Sequence, residues 1–330
     1  MQPARNGRTR RGAHNLAEPE MNGNLPLVSM VIPAYNYADY LDEAIKSVLD
    51  QDYPNVELIV LNDGSTDHTR KVLEKYGDRF YWETQENMGE ADTLNKGWQL
   101  SRGEILSRLS ADDVLLQGAI STSVKHLLAN PDVVLTYCDY DLIDSNSRKV
   151  RWVNAPELDY QEMVAKFICP PGPGAFFLAD AFRATGPWDS SLKLSPDYEY
   201  WLRLGLQGRF LRIPEALAAF RVHDESLSFA ATDEQKSDEY VRVISNYYET
   251  QPLPLDVLAV KDEALSNAYI FAARAHLRSK RYLLGFKRLY KGLSLYPKNL
   301  TVRTARIIAH GLINHVRHGI KQRMVERSRK

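Results

Sequence analysis

The sequence contains few cysteines and no long apolar run. Two cysteines, Cys138 and Cys169, occur among 330 residues, which is too few for a disulfide scaffold and favours a reducing compartment. No apolar run approaches the roughly 20 residues that a membrane-spanning helix needs. The first residues, MQPARNGRTRRGAHN, are polar and basic and lack the apolar core of a secretion signal. We therefore expect a soluble, cytoplasmic protein.

An excess of charge is also missing, because 42 Lys and Arg balance 42 Asp and Glu. This balance gives no indication of a nucleic-acid-binding protein, which usually carries a basic excess. Two nucleotide-binding motifs are absent as well. No G-x-G-x-x-G follows the first apolar run, and the chain has no P-loop. A dinucleotide-dependent oxidoreductase is therefore disfavoured.

Apolar runs alternate with helical patterns through the first 140 residues. Continuous apolar segments such as VSMVIP and VELIVL predict buried strands, and the segments between them carry apolar residues three or four positions apart. This alternation predicts an α/β fold with a mostly parallel sheet and helices on both faces. Ligands bind such sheets at the carboxyl ends of the strands. The loops PAYN, NDGSTD and SADD, which follow three of the predicted strands, should therefore converge on one crevice.

The same patterns divide the chain into three predicted regions. Residues 1–25 have little apolar periodicity and predict a disordered basic arm. Residues 26–230 predict the α/β domain, and its regular alternation stops near residue 140. Residues 231–330 predict an α-helical region, because their apolar residues recur with helical spacing.

Two adjacent carboxylates, Asp112 and Asp113, follow the predicted strand at Glu104–Leu109. Adjacent acids at the end of a buried strand are costly unless a positive charge lies beside them. Carboxylate oxygens suit Mg²⁺ or Mn²⁺, which bridge phosphate oxygens and stabilise the charge on a leaving diphosphate. The pair therefore favours a metal that holds the diphosphate of an activated sugar. The alternative is that the acids cap a helix starting at Val114.

Three further polar positions are candidates for the same chemistry. Asp63 can accept a hydrogen bond from a base or a ribose, or it can belong to an ordinary Asp-Gly turn. Asp197 is a candidate general base, with Glu199 two residues later, or both can be first-turn acids of a helix. His223 can be a metal ligand, a phosphate contact or a structural residue.

Together these stretches resemble the inverting, GT-A-fold glycosyltransferases of family 2, over about Leu27 to Ser228. The family's opening segment is similar to VSMVIPAYNYADYLDEAIKSVLDQDYPNVELIVLNDGSTDHT, and the stretch ending in its metal motif is similar to ENMGEADTLNKGWQLSRGEILSRLSADDVL. Its acceptor-side half is similar to GPWDSSL, SPDYEYWLRLGLQGRF and FRVHDESLS. The resemblance implies a Rossmann-like GT-A domain with a nucleotide-sugar-binding half at 26–140 and an acceptor-side half at 141–230.

The resemblance also implies roles for individual residues. Asp112 and Asp113 would hold the ribose and the metal, with a further metal contact from His223, and Asp197 would be the catalytic base. The donor pocket would be formed by Pro33, Ala34, Tyr35, Asn36, Asp63, Gly64, Ser65, Asn95 and Asp112.

The implied reaction moves a sugar from a nucleoside diphosphate sugar to a hydroxyl of a glycan or lipid-linked acceptor, with inversion of configuration. UDP-sugars are the commonest donors in the family, Mn²⁺ or Mg²⁺ is the implied cofactor, and bacterial surface polysaccharide assembly is the implied setting. Two positions depart from the family pattern. Ser110 replaces the first acid of Asp-Ala-Asp-Asp, and Pro196 replaces a Glu that often precedes the base. They motivate an alternative function, a catalytically inactive nucleotide-sugar-binding or scaffold protein.

The end of the chain predicts a basic amphipathic helix. Such a helix can lie on an anionic membrane surface or pack its apolar stripe on the catalytic domain. Its apolar stripe consists of Val302, Ala305, Ile308, Leu312, Val316 and Ile320, and its basic residues are Arg303, Arg306, Arg317 and Lys321.

Overall fold

A computed structural model describes residues 25–157, 159–223 and 232–312. The strands within these residues form one sheet of nine strands. Their bounds are β1 (Val28–Ala34), β2 (Val56–Asp63), β3 (Tyr81–Gln85), β4 (Ile105–Arg108), β5 (Val114–Leu115), β6 (Val133–Ile143), β7 (Lys149–Val153), β8 (Phe176–Leu178) and β9 (Arg209–Arg221).

The strands lie in the order β3-β2-β1-β4-β8-β6-β9-β5, and β7 pairs with the C-terminal part of β6. Strands β1 to β4 are mutually parallel, and β6 is parallel to β9. Only β5, β7 and β8, among the described strands, run antiparallel to their neighbours. The prediction of a mostly parallel sheet is therefore confirmed. The order 3-2-1-4 places a topological switch between β1 and β4, where open α/β sheets bind ligands.

Helices cover the sheet and make up the rest of the described chain. Each of the described helices is too short or too polar to cross a bilayer. Their bounds are α1 (Ala38–Leu49), α2 (Thr69–Glu74), α3 (Glu90–Leu100), α4 (Ala119–Ala129), α5 (Tyr160–Lys166), α6 (Ala179–Thr185), α7 (Pro196–Leu204), α8 (Glu234–Ser237), α9 (Glu239–Thr250), α10 (Leu255–Ala259), α11 (Lys261–Arg278) and α12 (Tyr282–Leu295), followed by a 3₁₀ turn at Pro297–Asn299 and helical residues 302–312.

Strand β1 shows why both faces of the sheet are covered. Successive side chains of a strand point to opposite faces, so Met30 and Ile32 join one hydrophobic cluster and Val31 joins the other. Gly97 of α3 lies directly against Val31, where a Cβ atom would come within 2.3 Å of a Val31 methyl group. The absent side chain lets α3 sit close to the sheet. The strand residues are apolar on both sides because neither face meets water.

The C-terminal helices share a core with the sheet region. The ring of Phe167 lies 4.1 Å from the ring of Tyr198 in α7. On another side it lies 5.5 Å from Tyr240 in α9 and 5.2 Å from Phe271 in α11. Aromatic rings at these separations bury large apolar areas together. The predicted helical C-terminal region is therefore confirmed, and it packs on the α/β fold.

The structure rejects one alternative for the adjacent carboxylates. Val114 does not begin a helix, because it pairs with Ala219 in the short strand β5. The next helix, α4, begins at Ala119 after Gly118, whose φ of +80° places it in the left-handed region. Asp112 and Asp113 are therefore not helix caps. The predicted basic arm, apart from Leu25, and the distal part of the predicted C-terminal helix lie outside the described residues.

Candidate active site

The loops that follow β1, β3 and β4, together with Asp63 at the end of β2, line one cleft of about 540 Å³ at the carboxyl ends of these strands. Their convergence matches the expectation from the alternating pattern, because parallel neighbours end at the same edge of a sheet. The lining residues are Pro33, Ala34, Tyr35, Asn36, Tyr37, Asp63, Asn87, Gly89, Glu90, Ser110, Ala111, Asp112 and Phe220.

Asn36 and Ser65 join the loops after β1 and β2. The backbone N–H of Asn36 donates to Ser65 Oγ at 3.0 Å, and Asn36 Oδ1 accepts the N–H of Thr66 at 2.8 Å. Asn36 has a φ of +58°, a left-handed conformation that Asn tolerates better than most residues. Asp67 extends the junction by accepting the N–H of Ala38 at 3.1 Å. Ser65 thus supports the cleft wall rather than lining the cleft.

Asp63 is buried at the end of β2 and fixes the loop before α3. Its Oδ1 accepts the N–H of Met88 at 2.8 Å, and its Oδ2 accepts the N–H of Gly89 at 2.9 Å. Gly64 follows with a φ of +70°, and a Cβ there would lie 2.8 Å from the backbone nitrogen of Asn87. The carboxylate therefore acts in a turn and also stands in the wall of the cleft.

Asp112 and His223 are brought together from distant parts of the chain. Asp112 Oδ2 lies 3.0 Å from His223 Nε2, and 15% of the Asp112 side chain and 6% of the His223 side chain are exposed. The imidazole packs between Tyr37 and Tyr40, with ring centroids 5.9 and 5.4 Å away. These ring contacts hold the imidazole against the carboxylate of Asp112, which lines the cleft, while His223 itself lines a neighbouring pocket with Tyr37 and Tyr40.

Asp113 faces away from the cleft. Only 3% of this residue is exposed, and its Oδ1 accepts the backbone N–H of Arg221 at 2.9 Å. Burial and the neighbouring Asp112 charge raise the pKa of Asp113 well above its ordinary value. Among the described residues, no group of three or more His, Cys, Asp or Glu side chains is arranged to hold a metal ion. Two adjacent acids thus have different surroundings, and Asp112 is the one that lines the cleft.

Arg221 organises this region and was not identified from the sequence. Its guanidinium is fully buried, and its Nε donates to the backbone carbonyl of Asp112 at 2.7 Å. Its other nitrogens reach Glu43 Oε2 at 2.7 Å and the carbonyl of Asp144 at 3.0 Å. The guanidinium carbon lies 4.6 Å from the ring centroid of Tyr40. A single buried arginine has no recognisable sequence pattern. The one indication of a role for Arg221 in the sequence is its position two residues before His223.

Asp197 lies in the first turn of α7, outside the lining of the cleft. It is half-buried, its Oδ1 accepts the N–H of Tyr198 at 2.8 Å, and its Oδ2 lies 4.0 Å from the Sγ of Cys169. Glu199 has a different environment, because both its carboxylate oxygens accept from Arg203, at 2.6 and 2.8 Å. Of the two acids, Asp197 is the one that no cationic side chain pairs with in the described residues.

Asn95 is placed away from the cleft. Its Nδ2 donates to the carbonyl of Trp188 at 2.9 Å, and its Oδ1 accepts the N–H of Trp188 at 2.8 Å. This reciprocal pair ties α3 to the loop before α7. Sequence reasoning missed several lining residues, although Asn87, Gly89 and Glu90 lie in the segment ENMGEAD on which the resemblance rested.

Solved structures of other proteins share this architecture. Over 90% of this chain and 92% of the other, the fold matches Staphylococcus aureus TarS 1–349 in complex with UDP-GlcNAc, with a TM-score of 0.64 and 16% identity. It also matches the mannosyltransferase PcManGT of Pyrobaculum calidifontis in complex with GDP-Man and Mn²⁺, with a TM-score of 0.57, 18% identity and 89% and 86% coverage. The fold is therefore of the GT-A type.

Sequence comparison identifies the family. A family model described as glycosyl transferase family 2 matches residues 29–183. A glycosyltransferase of Rickettsia typhi is 35% identical over 234 residues, which cover 67% of this chain and 71% of the relative. The chain belongs to glycosyltransferase family 2 and is an enzyme of the glycosyltransferase class. It spans a smaller share of other curated relatives, 24% of a Pasteurella multocida chondroitin synthase at 27% identity over 68% of this chain.

Proposed function

We propose that this enzyme transfers a sugar from a UDP-sugar to a hydroxyl of a glycan or lipid-linked acceptor, with metal assistance and inversion of configuration. The observation that carries the proposal is the Asp112–His223 pair at the rim of the three-loop cleft. A carboxylate and an imidazole beside a cavity of about 540 Å³ suit a nucleoside diphosphate and one divalent ion. Pro33, Ala34, Tyr35, Asn36 and Asp63 are proposed to contact the nucleotide.

The donor atoms of the pair fit a divalent ion. Asp112 Oδ2 and His223 Nε2 lie 3.0 Å apart, so both would be available to hold the ion. A bound Mn²⁺ or Mg²⁺ would supply positive charge that stabilises the leaving diphosphate. Asp113 is proposed to support this site by fixing the backbone of Arg221.

Asp197 is the proposed general base. A carboxylate without a cationic partner can accept the proton of an acceptor hydroxyl, whereas one paired with Arg is a poorer base. The contrast between Asp197 and Glu199 supports this assignment, because Arg203 holds both oxygens of Glu199. The deprotonated acceptor oxygen would attack the anomeric carbon from the face opposite the diphosphate, and one such displacement inverts the configuration.

The choice of UDP follows from the relatives. The structural neighbours favour UDP, because TarS is named with UDP-GlcNAc and with UDP at TM-scores of 0.64 and 0.59, and PcManGT with GDP-Man at 0.57. The matched relatives include proteins named chondroitin synthase and hyaluronan synthase. We therefore propose UDP for the donor and surface polysaccharide biosynthesis at the cell envelope for the setting.

The cell location is part of the same proposal. The enzyme is proposed to act in the cytoplasm, where its two free thiols, Cys138 and Cys169, would stay reduced. A peripheral contact of the basic helix, which was predicted from Val302 to Ile320, would bring it to a lipid-linked acceptor. Residues 302–312 of that helix are helical in the structure, and the remainder lies outside the described residues.

Donor hydrolysis and transfer, measured with a panel of UDP- and GDP-sugars with and without Mn²⁺, test the proposal. The variants Asp112→Ala and Asp113→Ala should lose both reactions, and Asp197→Asn should keep donor binding but lose transfer. Asp180→Asn, at an acid with 94% of its side chain exposed, is the matched control and should behave as wild type. Full activity in EDTA with both Asp112 and Asp113 replaced would overturn the proposal. Transfer from GDP-sugars alone would overturn the choice of UDP.

A further inference from the structure

Helix α12 presents its smallest residues to its neighbour α11. A Cβ on Gly285 would lie 2.7 Å from the Leu277 side chain, and a Cβ on Gly292 would lie 2.8 Å from the carbonyl of Ser266. The two glycines are seven residues apart, so they share one face of the helix. They bring α12 into close contact with α11 and define its inner face.

The opposite face of α12 is apolar and exposed. At about 100° per residue, Leu283 and Tyr290 lie about 160° and 140° from the first glycine, and Phe286 lies about 100° from it. These side chains are 70%, 77% and 54% exposed, and Tyr282 beside them is 47% exposed. A surface helix normally turns such residues toward the core. Contiguous exposed apolar residues of this kind mark an interaction surface.

The same face carries positive charge without negative charge. Lys287 and Lys291 are exposed, and by helical spacing they lie beside Leu283 and Tyr290 on the outer face. The sequence has no Asp or Glu from Ala264 to Leu312, against ten Lys and Arg in that segment. Aromatic side chains with adjacent lysines suit the boundary between lipid headgroups and acyl chains, where the rings bury and the ammonium groups stay at the phosphates.

We propose that the outer face of α12, formed by Tyr282, Leu283, Phe286, Lys287, Tyr290 and Lys291, docks on an anionic lipid surface. Charge decides between the possible occupants. A symmetric dimer through this face would oppose lysines of one copy to lysines of the other. The chain's own residues after 312 carry Lys and Arg in excess and would also be repelled. The inference does not depend on the sugar or on the transfer reaction.

Co-sedimentation of the full chain with vesicles tests this docking. Phosphatidylcholine vesicles with and without phosphatidylglycerol are compared at low and high salt. Lys287→Gln with Lys291→Gln should weaken binding to the anionic vesicles about thirtyfold, since each lysine near the surface contributes about five- to sixfold. Leu283→Glu with Tyr290→Glu should weaken binding further than the lysine variant does, because it replaces two apolar side chains of the face with acids. Leu128→Glu, at an exposed leucine of α4, should bind as wild type.

Four results would contradict the proposed docking. Equal binding by wild type and both double variants, or no binding to anionic vesicles, would overturn it. Binding lost only in Arg317→Gln with Lys321→Gln would assign the contact to the last residues of the chain instead. A concentration-dependent dimer in light scattering that Leu283→Glu with Tyr290→Glu abolishes would identify the face as a self-interface. Thermal unfolding of each variant separates lost binding from lost folding.

Discussion

The side chain of Asp113 is hydrogen-bonded to the backbone of Arg221. The Arg221 N–H donates to Asp113 Oδ1 at 2.9 Å, and the Arg221 Nε donates to the preceding carbonyl, that of Asp112, at 2.7 Å. These bonds join the loop after β4 to the end of β9. They also set the position of His223, two residues farther on, against Asp112. The proposed metal-binding pair therefore depends on a salt-bridged arginine beneath it.

Replacing Arg221 should cost both stability and turnover. Arg221→Met leaves Glu43 and two carbonyl groups without their donor, so we expect the free energy of unfolding to fall by about 3 kcal/mol. Arg221→Lys should fold better but still lose turnover, because an ammonium cannot reproduce the guanidinium fork. Urea unfolding and donor hydrolysis measure the two effects. Arg183→Met, at a guanidinium with 64% exposure, should change stability by less than about 0.5 kcal/mol. An Arg221→Met enzyme with wild-type turnover would contradict the positioning role.

The metal dependence of nucleotide binding should rest on Asp112 and His223. Asp112→Asn and His223→Gln each remove one proposed ligand, so UDP binding in the presence of Mn²⁺ should weaken at least about tenfold. UDP binding in EDTA should change little in either variant. Isothermal titration calorimetry with and without Mn²⁺ measures both quantities. Asp39→Asn, at a carboxylate with 83% exposure, serves as the control. Unchanged Mn²⁺ enhancement in both variants would contradict the assignment.

Substitutions at Gly64 and Gly77 allow the cost of a left-handed backbone to be measured apart from the cost of a steric clash. Gly64 and Gly77 have φ of +70° and +59°, but only a Cβ on Gly64 would meet another atom, the backbone nitrogen of Asn87 at 2.8 Å. Gly77→Ala should therefore cost about 1 kcal/mol for the left-handed conformation alone. Gly64→Ala should cost more and also weaken UDP binding, because the loop held by Asp63 must move. Thermal shift with and without UDP measures both, and equal effects of the two variants would contradict the close approach.

An ion-pair cluster between helices should make stability fall at acidic pH. Burial raises the pKa of Asp238, but hydrogen bonds from Arg288 and His276 lower it by more, so the net pKa lies below the ordinary 3.8. A carboxyl with a depressed folded pKa stabilises the fold above its unfolded pKa, and this contribution is lost as pH falls through the folded pKa. Asp238→Asn should therefore unfold about 2 kcal/mol more easily near pH 7.

The pH dependence provides the check on Asp238. The gap in stability between wild type and Asp238→Asn should narrow as the pH falls below about 3.8, because the wild-type carboxyl becomes neutral. Urea unfolding at a series of pH values measures the gap. Asp180→Asn, at an exposed acid, should show little difference at any pH. A gap that stays constant through this range would contradict the assignment.

The elements of the fold were predictable because their signals are local. VSMVIP and VELIVL are apolar except at Ser29 and Glu57, since strands buried on both faces meet little water, and they form β1 and β2. The three loops after β1, β2 and β4 were expected at one crevice because parallel strands end at one edge. Local patterns failed where a signal had two meanings. Acids before Val114 fitted a helix cap as well as a metal site, and pairing with Ala219 decided that no helix starts there.

The amino-acid sequence by itself determined which segments become strands and helices, and it placed Asp63 and Asp112 at strand ends. Only the tertiary structure decided which side chains meet. Asp112 and His223 are 111 residues apart in sequence, and their contact requires β9 to run beside β5 and β6. Burial of Arg221 and the outward apolar face of α12 likewise depend on neighbours distant in sequence. A periodic pattern in the sequence indicates that a residue is buried, whereas the tertiary structure determines which residues it contacts.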